Sequence, residues 1–180
     1  MAEFTKLSMD ELGRLAPTEA KNAPKVPVVV VLDNVRSMHN VGSIFRSADA
    51  FAIEKIYLCG YTPQPPHRDI HKTALGATET VGWSYQTSAL ECINQLKTNG
   101  YSIVSVEQAT GSISPARFAQ NAPAYPVAVV LGNEVEGVQQ AIIDCSNIVL
   151  EIPQFGAKHS LNVAVAAGIV MYELSCRYFV

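Results

Sequence analysis

Residues 152–174 read IPQFGAKHSLNVAVAAGIVMYEL, and this segment decides how the rest of the chain is interpreted. It starts like the end of a strand, crosses a polar stretch, and finishes as an apolar helix rich in alanine and valine. An ordinary capped loop, with Ser160 as the helix N-cap, is enough to explain the polar stretch. The alternative is that the stretch binds a ligand, and the upstream sequence is needed to choose between the two.

Strand and helix patterns alternate through that upstream sequence. A continuous β-branched run, VPVVVVLDN, predicts a buried strand, and shorter apolar runs predict strands at KIYLCG, VGWSYQ, YSIVSVE, PVAVVLGNE and NIVLEIP. Helical spacing appears between them, in VGSIFRSADAF, SALECINQLKTNG and GVQQAIIDC. The alternation predicts an α/β fold, with a mostly parallel sheet covered by helices on both faces.

The chain divides into a short N-terminal arm and one domain. Its 180 residues fit a single domain, which we place at residues 26–180, with the arm at residues 1–25. Ser8 and Glu11 have the spacing of a capping box, which predicts one short helix in the arm. Several prolines then separate that helix from the first strand.

Composition excludes several classes of protein. Hydrophobic residues make up 48% of the chain and charged residues 16%, so the chain can bury a core and is not a disordered tail. A formal net charge of −3 argues against a protein that coats nucleic acid by charge alone. No apolar run reaches the roughly 18 residues that span a membrane. The N-terminal sequence also lacks the apolar core of a signal peptide, so we expect a cytoplasmic protein.

The cysteines and histidines do not form the pattern of a metal site. Four cysteines lie far apart without a CxxC pair, which predicts reduced thiols. His67 and His71 are four residues apart, but their segment follows two prolines and holds no third ligand. We therefore predict no bound metal. The hydrolase motif G-x-S-x-G is also absent.

Glycine and asparagine gather after three of the predicted strands, in DNVRSMHNVGSIFR, LGNEVEG and IPQFGAKHSLN. In an open parallel sheet, ligands bind beyond the carboxyl ends of the strands. Turns and helix caps explain each segment alone, whereas three such segments in one chain favour a binding site. The phosphate-binding motifs G-x-G-x-x-G and G-x-x-x-x-G-K-[ST] are absent, and Glu134 and Glu136 would repel a pyrophosphate. A ligand with a ribose, a neutral adenine and a positive centre, such as S-adenosylmethionine, is compatible with the pattern.

Basic residues cluster on the same predicted side of the sheet. A run of charge is usually a solvated surface, but here the runs coincide with the strand ends that carry the candidate site. An acidic chain with one basic face fits a specific phosphate-bearing partner, such as RNA or a nucleotide. The candidate RNA-binding residues are Arg36, His39, Arg68, Lys72 and Lys158.

Three motifs carry a family resemblance. NVGSIFRSADAF resembles N-x-G-x-x-x-R, VVLGNEVEGV resembles L-G-x-E-x-x-G, and IPQFGAKHSLNVAVAAG resembles I-P-M-x-G-x-x-x-S-L-N-V-x-V-A. With these motifs in order over residues 26–180, the chain resembles the SpoU/TrmH family of RNA 2′-O-ribose methyltransferases, of the SPOUT class. Gln154 stands where methionine is usual in the third motif.

The resemblance implies a trefoil knot in the C-terminal part of the fold, S-adenosylmethionine as cofactor, and a homodimer whose active site lies near the subunit interface. The second and third motifs would hold the cofactor, with Gly132, Ile152 and Leu161 contacting it largely through backbone groups. The full set of implied cofactor-binding residues is Leu131, Gly132, Asn133, Gly137, Ile152, Pro153, Gly156 and Leu161. The substrate would be RNA, with tRNA favoured over rRNA. Two alternatives are a catalytically silent RNA-binding member of the fold and a small-molecule α/β enzyme with a nucleotide cofactor.

The resemblance also implies a catalytic set, which is Arg46, Asn40, Glu134, Ser160 and Asn162. Arg46 matches the arginine that the family is proposed to use as a base. A guanidinium group holds its proton too tightly to be a good base, which argues instead that Arg46 binds an RNA phosphate and orients the 2′-hydroxyl. Both interpretations of Arg46 stay open at this point.

Overall fold

The computed structural model describes residues 4–8 and 11–179. Its strands are β1 (Val26–Asp33), β2 (Ile53–Cys59), β3 (Gly82–Gln86), β4 (Ser102–Val106), β5 (Val127–Leu131) and β6 (Ile148–Leu150). Its helices are α1 (Pro17–Asn22), α2 (Met38–Ala50), α3 (Arg68–Ala74), α4 (Ala77–Thr80), α5 (Ala89–Thr98), α6 (Pro115–Asn121), α7 (Gln140–Cys145) and α8 (Val163–Phe179).

The six strands form one parallel sheet in the order β3-β2-β1-β5-β4-β6. The chain first moves outward from β1 through β2 to β3 at one edge. It then crosses to the other side of β1, where β5 lies beside β1, β4 beside β5, and β6 at the edge. The order therefore reverses beside β1, and ligands bind at such a reversal in open α/β sheets. The α/β fold with a parallel sheet is confirmed, whereas the knot stays a prediction.

Both faces of the sheet are covered, as predicted. Successive residues of β1 point to opposite sides, so Val30 packs against α2 and α8 while Val31 packs against α5 and α7. Ile44 of α2 and Ile93 of α5 are fully buried on these two sides. Each such side chain contributes about 1.5–3 kcal/mol by leaving water. This packing fixes the helices that carry the candidate site.

The arm contains a short helix, but further along the chain than the capping-box pattern predicts. Ser8 and Glu11 do make the reciprocal contacts of a capping box, with 2.7 Å from Ser8 N to Glu11 Oε2. Residues 11–12 form only a turn, and Gly13 adopts a positive φ of 57° that a helix does not allow. The helix instead begins at Pro17, whose fixed φ suits a first helical position. The boundary between arm and domain at residue 26 stays a prediction.

The start of α8 also differs from the simple capped loop. The helix begins at Val163, and Asn162 rather than Ser160 caps it, because Asn162 Oδ1 accepts a 2.9 Å hydrogen bond from Ala164 N. Along residues 4–8 and 11–179, no helix is both long enough and apolar enough to cross a membrane.

Candidate active site

A pocket of about 370 Å³ lies at the carboxyl ends of β4, β5 and β6, where the resemblance places the cofactor, and is termed the cofactor cavity. The residues after β5 form one wall, residues 152–161 form another, and the first turn of α8 closes the end. Apolar side chains of the strand ends, including Leu131 and Leu150, form its inner surface. Its volume lies within the range of about 300–1,000 Å³ that small ligands occupy.

The loop after β5 requires glycine at two positions. A Cβ on Gly132 would overlap the backbone of Gly137 and Val138, so the two sides of the loop can approach only without a side chain there. Gly137 has a φ of 70°, which favours glycine. The loop is closed by paired bonds between Asn133 and Gly137, at 3.1 and 2.9 Å. Tight closure leaves the backbone of this loop exposed to the cavity.

Asn133 lines the cavity, but its side chain is fully used within the protein. Asn133 Oδ1 accepts from Val135 N at 2.8 Å, and Nδ2 donates to Asn34 O at 2.9 Å. Nδ2 also donates to the Tyr61 hydroxyl at 2.8 Å. The side chain therefore shapes the loop and ties it to the end of β1, which leaves only its backbone for a ligand.

Glu134, Asn40 and Asn162 form one hydrogen-bonded chain that joins the three motifs. Asn40 Nδ2 donates to Glu134 Oε1 at 2.9 Å, and Asn162 Nδ2 donates to Asn40 Oδ1 at 3.0 Å. The Glu134 carboxylate also accepts from Arg36 N at 3.0 Å and from Ser37 N at 3.1 Å, just before α2. The amino end of α2 is thereby held against the mouth of the cofactor cavity.

These contacts also set the charge of Glu134. Partial burial alone would raise the pKa of its carboxyl group, because it removes water from the charged form. The hydrogen bonds from Arg36 N, the Asn40 side chain, its own backbone N–H and Ser37 N outweigh burial, and the pKa of Glu134 lies below its ordinary value. The carboxylate is therefore ionised near neutral pH.

The third motif lines the cofactor cavity only in part. Ile152, Ser160 and Leu161 line the cofactor cavity, whereas Pro153 and Gly156 do not. Residues 155–162 are exposed; Gln108 Nε2 holds them by donating to His159 O at 2.9 Å, and Asn162 is held by its bond to Asn40. A Cβ on Gly156 would meet nothing within 4 Å, so space does not require glycine there.

Arg46 does not lie at the cofactor cavity of its own chain. Arg46 lies six positions after Asn40, which in a helix is about 9 Å along the axis and about two-thirds of a turn in rotation. Arg46 instead lines a second cavity of about 590 Å³ between α2 and the arm, together with Arg14, Lys25 and Asp49. Within a single chain, Arg46 therefore lies apart from the other four predicted catalytic residues.

The predicted RNA-binding residues lie at the surface. Arg36, His39, Arg68, Lys72 and Lys158 are all exposed. Close packing of α2 on α3 brings the first four onto neighbouring elements, because Gly42 allows contact with Thr73 and Ile70. Lys72 makes a 3.1 Å salt bridge with Asp69. Lys158 lies apart from them, on the exposed loop.

Two carboxylates, one beside the cofactor cavity and one in its lining, were not singled out by the sequence patterns. Asp33 ends β1 and is 1% exposed, with Gln139 Nε2 donating to its Oδ1 at 2.8 Å. Burial raises the pKa of Asp33, although bonds from Gln139 and Asn34 oppose the effect. Glu107 follows β4 and lines the cofactor cavity. Both stand at strand ends, which is the one signal that could have found them.

Solved structures place the fold in a known class. The A. aeolicus TrmH/SpoU tRNA modifying enzyme superposes with a TM-score of 0.79 at 23% identity, covering 91% of this chain and 82% of that one. An AdoMet-bound rRNA methyltransferase from Sinorhizobium meliloti gives a TM-score of 0.77 at 26% identity, covering 93% of this chain and 62% of that one. The fold is that of the SpoU/TrmH methyltransferases.

The sequence assigns the chain more narrowly. The model of the SpoU rRNA Methylase family matches residues 27–172, and the chain belongs to that family. A Staphylococcus haemolyticus protein named "Putative TrmH family tRNA/rRNA methyltransferase" is 29% identical over 154 residues, covering 86% of this chain. This chain spans 60% of the length of that relative.

Proposed function

We propose that this chain is an S-adenosylmethionine-dependent RNA methyltransferase that modifies a ribose 2′-hydroxyl, most readily in tRNA and otherwise in rRNA. The observation that carries the proposal is the chain of hydrogen bonds from Glu134 through Asn40 to Asn162, at the mouth of the cofactor cavity. It joins all three motifs of the family at a pocket of ligand size. Such an enzyme would meet its RNA in the cytoplasm.

The cavity fits an adenosyl cofactor. Apolar strand ends suit an adenine ring, and the closed loop at Gly132 offers backbone groups without an intervening side chain. Gly132, Ile152 and Leu161 would hold the cofactor mainly through such groups, while Pro153 and Gly156 would need the loop to move. When bound, the cofactor would supply an electrophilic methyl group on sulfur.

The residues of the chain would then have to place and activate the RNA. A ribose hydroxyl is a weak nucleophile, so alignment and removal of its proton are the main tasks. Ser160 lines the cavity, and Asn40 and Asn162 stand next to it, where each could position the ribose. Arg46 would bind a neighbouring phosphate with its planar guanidinium, and phosphate or solvent would take the proton.

A homodimer would complete the site. Arg46 faces away from the cavity of its own chain, and α8, which packs on α2, carries an exposed apolar stripe formed by Val165, Ile169 and Tyr172. The end of α2 contacts this stripe, because the ring centroids of Phe51 and Tyr172 lie 5.8 Å apart. Pairing of two such faces would bury the stripe and bring Arg46 of one protomer to the cavity of its partner.

Methyl transfer to defined RNAs tests the proposal directly. The purified chain, a labelled methyl donor, and tRNA and rRNA from a strain that lacks the protein should yield 2′-O-methylated nucleotides after nuclease digestion. Label on a base instead of a ribose would contradict the proposed reaction. Binding of RNA without binding of the methyl donor, measured by calorimetry, would support the catalytically silent alternative.

A further inference from the structure

Glu107 is a side chain of the cofactor cavity that lies outside the three motifs. It follows the last residue of β4 and is partly buried. Its Oε1 accepts a 2.8 Å hydrogen bond from Gln108 N, and its Oε2 accepts a 2.9 Å hydrogen bond from Val138 N. The carboxylate therefore connects the end of β4 to the loop that follows β5.

The position of this carboxylate depends on Gly137. A Cβ at that residue would overlap Glu107 Oε2, so only glycine lets the carboxylate lie against the loop. An ionised carboxylate offers about four acceptor positions on its two oxygens. The two backbone N–H groups occupy one position on each oxygen. One acceptor position on each oxygen thus stays available to a ligand in the cavity that Glu107 lines.

Glu107 is better suited to hydroxyl groups than to a cation. Its two backbone donors already offset part of its negative charge. Glu136 lines the same cavity, is exposed, and has a side chain that makes no hydrogen bond or ion pair along residues 4–8 and 11–179. A positive group would find its stronger partner at Glu136. Vicinal ribose hydroxyls, by contrast, present two donors to the two oxygens of one carboxylate, an arrangement known at strand ends of dinucleotide-binding sheets.

We propose that Glu107 accepts hydrogen bonds from the ribose hydroxyls of the adenosyl cofactor and makes the cavity selective for a ribonucleoside. The neighbouring apolar residues Val106 and Leu150 line the adjacent part of the cavity, where the adenine ring would lie. This role rests on the proposed function, because it requires an adenosyl ligand in this cavity. It makes Glu107 a cofactor-binding residue, although its two backbone contacts also hold the loop.

Calorimetry with two ligands separates ribose recognition from loop support. The ligands are S-adenosylhomocysteine and its 2′,3′-dideoxy analogue, and the proteins are the wild type, Glu107→Gln and the matched control Glu136→Gln. The wild type should bind the dideoxy analogue about tenfold to a hundredfold more weakly, the effect of lost hydrogen bonds to a charged group. Glu107→Gln should lose most of this preference, and Glu136→Gln should keep it.

Each other outcome has a defined meaning. Equal weakening of both ligands by Glu107→Gln makes the residue a loop support only and overturns the proposal. Loss of the preference in Glu136→Gln overturns it as well, since that assigns the hydroxyls to the other carboxylate. If Glu107→Gln fails to fold, the wild type still decides, because equal affinity for both ligands overturns ribose recognition. A wild type that binds neither S-adenosylmethionine nor S-adenosylhomocysteine removes the proposed function itself.

Discussion

Asn162 Nδ2 donates a 3.0 Å hydrogen bond to Asn40 Oδ1, although the two residues lie 122 positions apart in the chain. Each has a second task, because Asn162 caps α8 and Asn40 donates to Glu134 at 2.9 Å. The bond therefore links the beginnings of α2 and α8 to the loop after β5. A change at either asparagine should reach all three motifs.

Asn40→Ala tests this link. The substitution removes the bonds to Glu134 and Asn162, so we expect kcat/KM for methyl transfer to fall about tenfold to a hundredfold. Unfolding by urea should show a loss of about 1–3 kcal/mol, because the Glu134 carboxylate loses a donor. Asn94→Ala is the matched control, since Asn94 lies exposed on α5, on the other face of the sheet. Equal rates in the two variants would remove Asn40 from the site.

Arg46→Lys separates the two interpretations of the arginine. Lysine keeps the positive charge but loses the planar pair of donors that grips a phosphate. An orienting role therefore predicts near-complete loss of methyl transfer, with cofactor binding unchanged by calorimetry. Near-normal activity of the lysine variant would contradict that role.

Mixed dimers test whether Arg46 acts on the partner. Arg46→Ala keeps the cavity, whereas Gly132→Ala distorts its wall by forcing a Cβ against the backbone of the loop. Each variant alone should be nearly inactive. Co-expressed and mixed equally, they should recover about a quarter of wild-type activity, because half the dimers are mixed and each holds one intact site. A mixture as inactive as its components would show that Arg46 serves its own chain.

Gly132→Ala also has a prediction of its own. Because the added Cβ overlaps Gly137 and Val138, we expect binding of S-adenosylmethionine to weaken at least about tenfold while the circular dichroism spectrum stays that of the wild type. Gly82→Ala is the matched control, since its Cβ would meet Glu54 O at an ordinary 3.4 Å on an edge strand. Similar cofactor affinity in both variants would argue against a cofactor site at this loop.

Asp33 should give folding stability a recognisable pH dependence. Burial raises the pKa of Asp33 in the folded protein above its unfolded value, so the folded state holds the proton to higher pH. The associated stability is fully present below the unfolded pKa, near about 4, and is lost as pH rises through the folded pKa. Urea unfolding of Asp33→Asn should lack this decline. Asp144→Asn, at an exposed position of α7, should retain the wild-type slope.

The sequence predicted the fold, whereas for the candidate site it marked residues without showing how they pack. All six strands lie at segments that the sequence pattern predicts, and local chemistry such as the Ser88 cap of α5 marks helix ends. Helical spacing alone sets Arg46 about two-thirds of a turn away from Asn40, but the surface that Arg46 then faces depends on how α2 packs against the arm and α3. The hydrogen bond from the Asn133 side chain to Tyr61 could not be predicted either, since the two residues lie 72 positions apart in the sequence. Motifs identify residues, but their contacts depend on packing between distant segments.

The outer wall of the cofactor cavity is also its least packed part. Phe155 is 97% exposed, and each of residues 155–162 is exposed to solvent. A loop with so few buried contacts loses conformational entropy when a ligand orders it. Affinity for the cofactor should therefore depend on how completely this wall is already ordered. Substitutions that stiffen residues 155–159 would strengthen binding without adding a single contact, and would slow the release of product.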